Sequence, residues 1–369
     1  MTNRSRQPRR VRDLGIVVGP LRTGPLNAIT DVPGVRVGHT TIVDPPRLHT
    51  GVTAIVPDAL ERGRSSLPCG LFVGNGFGKL IGATQVAELG AIETPILLTA
   101  TLSAFRAADA LVTHVLAGPG HEETRTLNPV VGETNDGRLS DIRARPITEA
   151  HVLAALDGAT SDLPGEGCVG AGTGTMALGF KGGIGTSSRA VGGWTVGVLV
   201  QSNFSGTLTV RGVPIRADDG GARPAPDGAP AADGAEPAAN GLQPEGNSCM
   251  IVVATDAPLD ARQLGRVARR AVFAMARVGS DFAGGSGDYA LAFSTPGAPS
   301  PGGVDDGDLD PVFAATMDAV EEALLNSLFM TNTTVGHRGT ATAVPHALVL
   351  DRLRAAGVLP QPSATGPVS

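Results

Sequence analysis

The sequence is short of several residue types, and each shortage argues against a class of function. Its three cysteines, Cys69, Cys168 and Cys249, form no CxxC pair, which argues against a zinc site and suits a reducing compartment. Aromatic residues make up only 3% of the chain, too few to suggest stacked nucleobases or a haem pocket. No apolar run reaches the length of a membrane span. We therefore expect a protein that works without a membrane.

Lysine is almost absent, since only Lys79 and Lys181 are found among the 29 basic residues, a pattern that looks like codon bias. The formal net charge of −6 gives no basic footprint for nucleic acid. Five arginines crowd residues 1–13, the start of a basic extension that we place at 1–26, and we interpret these first residues as disordered. These arginines are not followed by the apolar segment of an export signal, so a cytoplasmic location is expected.

Apolar runs bounded by glycine and proline recur along the chain and predict short buried strands joined by tight turns. The predicted strands are 51–57, 70–73, 194–200, 249–254 and 289–293. Apolar residues at helical spacing predict helices at 101–116, from Pro258 to Gly279, and from an Asp310 N-cap onward. Because strands and helices do not alternate strictly, the pattern favours a layered α+β fold.

The most informative part of the chain is Asn247-Ser248-Cys249. Before it, residues 217–246 consist largely of alanine, proline, glycine and aspartate, a composition typical of a disordered surface linker. Directly after it comes a continuous apolar run of strand length, residues 250–255. A disordered linker that ends at a small hydroxyl residue and is followed directly by a buried strand is what a self-cleaving hydrolase needs.

Ser248 alone has an ordinary interpretation, because a serine before a strand is most often a turn or capping residue. The alternative is that its hydroxyl attacks the carbonyl of Asn247, which gives an ester that water then opens. Ser248 becomes a new N-terminus, whose α-amine has a reference pKa of about 8 and can act as the base for its own hydroxyl. The tripeptide thus predicts an N-terminal nucleophile.

Three other segments carry candidate site residues, each with an ordinary structural alternative. Ser286 and Asp288 lie on one side of an extended chain by period two, and together they could hold an α-amine, although a glycine-rich loop explains them equally. Glu133, beside an Asn-Asp-Gly turn, could pair with a substrate ammonium. Asn203, at a strand end, could donate to an oxyanion or simply cap the strand.

Taken together, these segments resemble the DmpA-type self-processing aminopeptidases, the L-aminopeptidase/D-esterase and β-peptidyl aminopeptidase family. The resemblance covers about residues 27–353, with the matching stretches in the same order. Those stretches are 27–41, 90–99, 129–142, 170–189, 196–203, 248–259 and 279–295.

The resemblance implies a four-layer α/β/β/α sandwich. It also implies cleavage before Ser248 into a larger chain, 27–247, and a smaller chain, 248–369, that stay together and assemble as a homotetramer of cleaved pairs. Neither a metal nor an organic cofactor is implied. The implied substrates are short peptides, amino-acid amides or esters with a free amino end.

The resemblance also assigns roles by position. Ser248 matches the nucleophile, Ser286 and Asp288 its supporting pair, Asn203 the oxyanion donor, and Glu133 the residue that binds the substrate amine. We expect Asn135 to bind substrate together with Glu133. Three positions depart from the family pattern: Asn135 stands where some members carry a tyrosine that assists at the site, and Arg138 and Gln85 stand where aromatic residues are common. The side-chain preference of the pocket is therefore left open.

The sequence thus predicts an autoproteolytically activated serine aminopeptidase that releases N-terminal residues through an acyl-enzyme. Two enzymatic alternatives keep the same nucleophile: an acyltransferase of the ornithine acetyltransferase type, and an amidohydrolase acting on pantetheine-like or oligoamide substrates. A third alternative is a non-catalytic scaffold that keeps the fold and is never cleaved.

Overall fold

The computed structural model describes residues 7–61, 66–217, 247–296 and 304–361, and these ranges contain seventeen strands and seven α-helices. The strands are β1 (Val35–Asp44), β2 (Leu48–Pro57), β3 (Leu67–Gly76), β4 (Leu80–Ile81), β5 (Ala91–Ile92), β6 (Ile96–Ala100), β7 (Val130–Thr134), β8 (Met176–Ala177), β9 (Phe180–Lys181), β10 (Ile184–Val191), β11 (Trp194–Asn203), β12 (Thr209–Val210), β13 (Val213–Pro214), β14 (Asn247–Thr255), β15 (Ser286–Ser294), β16 (Thr334–Gly336) and β17 (Gly339–Ala341). The helices are α1 (Asp58–Glu61), α2 (Ala83–Leu89), α3 (Ala104–Leu116), α4 (Glu149–Asp157), α5 (Ala261–Ala274), α6 (Asp310–Phe329) and α7 (His346–Ala355).

Two sheets form the centre of the molecule. The first has five strands in the order β1-β2-β6-β7-β4, and the second has six in the order β10-β11-β14-β15-β3-β5. Most neighbouring strands are antiparallel, whereas β6 runs parallel to β7 and β14 runs parallel to β15. The remaining strands pair in three small hairpins, β8 with β9, β12 with β13, and β16 with β17.

Each sheet buries one face against the other sheet and the opposite face against helices. Helices α3 and α4 cover the first sheet, and α5 and α6 cover the second. Between the sheets lies a separate apolar layer, which includes Ile55, Ile96, Leu98, Leu199, Val252 and Leu291. The predicted α+β fold with four layers, α/β/β/α, is confirmed.

Strand β14 lies inside the six-stranded sheet and is buried on both faces. Met250, Val252 and Ala254 point into the layer between the sheets, while Ile251 and Val253 point toward α5 and α6. This double burial explains why the strand reads as an unbroken apolar run instead of an alternating pattern.

The helix predictions hold with one correction. Helix α5 opens with a capping box between Asp260 and Gln263, continues through a 3-10 turn, and ends at Gly279, whose φ is 95°. The prediction of Asp310 as an N-cap is wrong, because α6 begins at Asp310 itself and its N-cap is Leu309, which makes no side-chain capping bond. Asp310 instead places its negative charge in the first helical turn, where the helix dipole favours it.

The prediction of a disordered segment through residues 1–13 is wrong for residues 7–13. Val11 is fully buried, and its N–H donates to Asn326 Oδ1 at 3.1 Å. Arg12 Nε lies 2.7 Å from Oε1 of the buried Glu322, and Arg10 pairs with Glu166. These arginines are ordered because they neutralise carboxylates that the fold has removed from water.

Nearly all of the predicted linker, 218–246, lies outside the described residues. In the ranges that the structure describes, no helix is both long and apolar enough to cross a membrane.

Candidate active site

Ser248 lies near the start of β14, between β11 and β15, and is 4% exposed. Its register partners are Asn203 in β11 and Gly287 in β15. Register partners point to the same face of a sheet, and residues two apart along a strand share that face too. Ser248 and Asn203 therefore face the layer between the sheets, in line with Met250.

Asn203 is held in one orientation by Met176, the first residue of β8. Its Oδ1 accepts a hydrogen bond from the backbone N–H of Met176 at 3.0 Å. Since the carbonyl end of the amide is bound to Met176, the NH₂ end is the donor that Asn203 has for an oxygen atom near Ser248. This geometry suits the oxyanion role that the resemblance implies.

Ser286 and Asp288 lie beside the Asn247–Ser248 peptide but on the opposite face of the sheet. In the parallel ladder, Ser286 pairs with Asn247 and Asp288 with Cys249, so the two side chains flank Ser248 along the chain. The Ser286 hydroxyl donates to Asp288 Oδ1 at 2.7 Å. The pair lies on the face of the sheet that packs against α5.

Asp288 is fully buried, and burial raises its pKa to about 6, although the hydrogen bond from Ser286 offsets part of the shift. Its Oδ2 has no hydrogen-bond partner among the residues that the structure describes. Burial, together with the nearby Asp288 carboxylate, also raises the pKa of the Cys249 thiol well above its ordinary value. A cation introduced here, such as an α-ammonium on residue 248, would relieve the unpaired carboxylate.

Glu133 is the penultimate residue of β7 and is 3% exposed. Its Oε1 accepts the backbone N–H of Lys79 at 2.8 Å, which fixes the carboxylate next to Gly78. A Cβ on Gly78 would lie 3.2 Å from Gly287 Cα and 3.3 Å from Glu133 Oε1. Glycine at this position therefore lets the carboxylate come close to β15 beside Ser248.

Asn135 has a local structural role. Its Oδ1 accepts the N–H of Gly137 at 2.9 Å, so it closes the turn that the Asn-Asp-Gly sequence predicts. Asp136, the next residue, is buried and burial raises its pKa to about 7. Behind it, the buried Lys181 ammonium donates to the carbonyls of Gly172 and Gly182. The turn after Glu133 therefore lies against buried polar side chains.

Two side chains near Glu133 were missed by the sequence reasoning. Lys79 Nζ lies 3.6 Å from Glu133 Oε1 and donates to Thr101 Oγ1 at 2.7 Å. Tyr289 is nearly buried, and burial, with the Glu133 charge as a further cause, raises its pKa. The rarity of lysine in the sequence could have drawn attention to Lys79. A lysine in a chain that otherwise uses arginine indicates a specific need for an ammonium group.

The arrangement brings a hydroxyl, an amide, a Ser–Asp pair and the Glu133 carboxylate to neighbouring strand ends. Four of these residues lie at the same end of the six-stranded sheet, and Glu133 approaches from the first sheet. Within the described ranges, no group of three His, Cys, Asp or Glu side chains is placed to hold a metal ion. Chemically, the set is equipped for acyl transfer through a serine.

Comparison with known proteins agrees over nearly the whole chain. The sequence model of peptidase family S58 matches residues 27–342. Beta-peptidyl aminopeptidase BapA of Sphingosinicella xenopeptidilytica is 40% identical over 91% of this chain and 89% of that protein.

Two solved structures share the fold. A Burkholderia sp. beta-aminopeptidase is 37% identical with a TM-score of 0.82, covering 95% of this chain and 100% of that one. The l-aminopeptidase d-ala-esterase/amidase of Ochrobactrum anthropi is described as a prototype for the serine aminopeptidases and a variant of the Ntn hydrolase fold. It is 36% identical with a TM-score of 0.80, covering 95% and 99% of the two chains.

Proposed function

Because the chain belongs to peptidase family S58 and is a serine aminopeptidase, we propose that it generates its own nucleophile by cutting the bond between Asn247 and Ser248. The observation that carries the proposal is the position of Ser248. It stands near the start of a buried strand, with Asn203 on its own face of the sheet and the Ser286–Asp288 pair on the neighbouring strand, level with Asn247 and Cys249.

Self-cleavage begins when Ser248 Oγ attacks the carbonyl carbon of Asn247. The C–N bond breaks, the nitrogen of Ser248 takes up the hydroxyl proton, and an ester joins the two residues. Water then hydrolyses the ester, which leaves a carboxylate on Asn247 and a free amine and hydroxyl on Ser248. Asp288, whose Oδ2 has no other partner in the described residues, stabilises the ammonium form of this amine.

Turnover uses the same hydroxyl. Glu133 binds the substrate ammonium, and Ser248 Oγ attacks the carbonyl of the first residue while the α-amine of Ser248 accepts the proton. Asn203 donates to the oxyanion. The leaving amine takes the proton as the acyl-enzyme forms, and water, activated by the same α-amine, releases the first residue.

The substrates that we propose are short peptides, amino-acid amides and esters with a free amino end. Since the 40%-identical relative is called a beta-peptidyl aminopeptidase, we include two further kinds of substrate. In one, the N-terminal residue is linked through its β-carboxyl group, and in the other, the N-terminal residue is a β-amino acid. The family resemblance further supports a homotetramer of cleaved pairs and a cytoplasmic location as proposals.

Intact mass spectrometry of the purified protein tests the processing step. We expect two masses, corresponding to residues up to Asn247 and to 248–369, and release of p-nitroaniline from aminoacyl p-nitroanilides. The Ser248→Ala variant should give one uncut chain with no hydrolysis, whereas the control Ser66→Ala, at an exposed serine, should behave as the parent. Identifying the products formed in the presence of added amine acceptors distinguishes hydrolysis from acyl transfer. Two chains from Ser248→Ala, or full activity of an uncut chain, would contradict the proposal.

A further inference from the structure

The carboxylate assigned to the substrate's amino end already has an ammonium group beside it. Lys79 Nζ lies 3.6 Å from Glu133 Oε1, which is an ion pair longer than a hydrogen bond. The Lys79 side chain is 43% exposed, whereas Glu133 is 3% exposed. Of the two side chains, the lysine is therefore the one that water and an incoming group can reach more readily.

This arrangement is unfavourable for a substrate whose only charge near the site is its ammonium. Such a group, once bound to Glu133, would lie next to the like charge of Lys79, and the two would repel each other. The Lys79 ammonium is held at this position, because it donates a hydrogen bond to Thr101 Oγ1 at 2.7 Å.

The repulsion disappears if the substrate carries a carboxylate beside its ammonium. A lysine ammonium has three donors, and Thr101 takes one, so donors remain for an incoming carboxylate. Glu133 then binds the substrate ammonium and Lys79 binds the substrate carboxylate, and the four charges alternate in sign. Each new contact is a charge-assisted hydrogen bond.

We propose, on the basis of the proposed aminopeptidase function, that Lys79 and Glu133 together bind an N-terminal residue with an amine and a carboxylate on the same carbon. β-Aspartyl peptides are then the preferred substrates. In a β-linked aspartyl residue, the free amine and the free α-carboxylate share the α-carbon, and the scissile carbonyl lies beyond one methylene. An α-linked aspartyl residue places its carboxylate one carbon further from the amine. A β-alanyl residue keeps the β-linkage and lacks the carboxylate.

Three dipeptides that differ only in these features provide the test: β-aspartyl-leucine, α-aspartyl-leucine and β-alanyl-leucine, with released leucine as the measurement. The mass-verified cleaved enzyme should favour β-aspartyl-leucine over β-alanyl-leucine by about 10- to 100-fold in kcat/KM, the effect of hydrogen bonding to a charged group. Lys79→Met should abolish this preference, mainly through a higher KM for β-aspartyl-leucine, and should raise kcat/KM for β-alanyl-leucine. Lys79→Arg should restore part of the preference because it restores the charge.

Arg125→Met is the matched control, since it removes one positive charge from an 89% exposed side chain outside the site and should keep the parental preference. If the parent cleaves β-alanyl-leucine as well as β-aspartyl-leucine, or if Lys79→Met changes both by the same factor, the inference is wrong while the aminopeptidase function stands. A preference for α-aspartyl-leucine would overturn the β-linkage. If the cleaved enzyme releases leucine from none of the three and is also inert to aminoacyl p-nitroanilides, the proposed function fails, and the inference fails with it.

Discussion

Asp288 is a carboxyl group that the fold keeps away from water beside the nucleophile. Burial raises its pKa to about 6 in the folded chain, from an ordinary value of 3.8. Between these two values the folded state binds more protons at this site than the unfolded state does. The free energy of unfolding therefore falls as the pH rises from about 4 to about 6, because the buried group must ionise.

Asp288→Asn should remove this pH dependence, which is best measured in the uncut Ser248→Ala background. When the pH is raised from 4 to 7, we expect the free energy of unfolding of the Asn variant to rise by about 3 kcal/mol relative to that of its parent. The change with pH is the diagnostic quantity, since any fixed cost of burying the amide cancels from it. Urea denaturation at the two pH values measures it.

Asp141→Asn is the control for this experiment, because the partly exposed Asp141 carboxylate accepts a hydrogen bond from Arg47, which lowers its pKa. That substitution should produce only a small effect, and of opposite sign. Parallel pH dependences for the Asp288→Asn variant and its parent would contradict the assigned burial.

The residues of the site differ in how far the sequence could reveal them. Ser248 was predictable because its setting between linker and strand is local, and Ser286 and Asp288 because a period of two places them together. Lys79 was not predictable as a neighbour of Glu133, since 54 residues separate the two and only the pairing of β4 with β7 joins them. The family resemblance supplied the roles of Glu133 and Asn203, which local patterns left open.

At the level of elements, helix α5 rests directly on the backbone of β3. A Cβ on Gly70 would lie 2.0 Å from the backbone nitrogen of Gly265 and 2.6 Å from its Cα. A Cβ on Gly265 itself would meet nothing within 4 Å. The two glycines face the same contact, yet only Gly70 is required by it, because at Gly265 the added atom would point away from the strand.

These positions predict opposite effects for the same substitution. Gly70→Ala should destabilise the protein by about 3 kcal/mol or more, because backbone has to move to relieve the overlap. Gly265→Ala should stabilise it by about 0.5–1 kcal/mol, since alanine favours the helical conformation more than glycine does. Chemical denaturation of both variants in the uncut Ser248→Ala background measures the difference. Equal effects from the two substitutions would show that α5 does not contact β3 in this way.

The five predicted strands lie at the right places but were predicted too short, and the reason is physical. The apolar runs at 194–200 and 289–293 mark only the parts of β11 and β15 that pack in the core, whereas the strands extend to Asn203 and back to Ser286. Ladder hydrogen bonds join backbone groups whatever the side chains are, so a strand continues into polar residues where its neighbours do. Those polar extensions carry the site, which is why apolar periodicity alone could not place it on strands.

At the level of the whole molecule, the two segments on either side of the proposed cleavage site interleave. Strands β14 and β15 come from the C-terminal segment, and they lie between β11 and β3, which both come from the N-terminal segment. Glu322 in α6 adds a fully buried ion pair with Arg189 and a hydrogen bond from Asn27. Separating the segments would break two central ladders and expose these charges.

We therefore expect the cleaved chains to behave as one folding unit. In native buffer they should co-elute on size exclusion at the volume of the uncut Ser248→Ala protein, and heating should give one transition in which both chains unfold together. Denaturing electrophoresis should separate them. Release of the smaller chain in native buffer would contradict the interleaved topology.

The opposite orientations of Ser248 and Asp288 have a consequence for how such an enzyme can diversify. The Ser248 hydroxyl faces the layer between the sheets, whereas the Asp288 carboxyl, which we propose supports the amine of Ser248, faces the helices. The six-stranded sheet therefore separates the two groups. Substitutions around Gly78, Lys79 and Glu133 can retune which molecule is accepted without disturbing the groups that mature the nucleophile. A combinatorial library confined to that side should therefore yield many members that still process themselves, which makes self-processing a ready screen for correct folding in directed evolution.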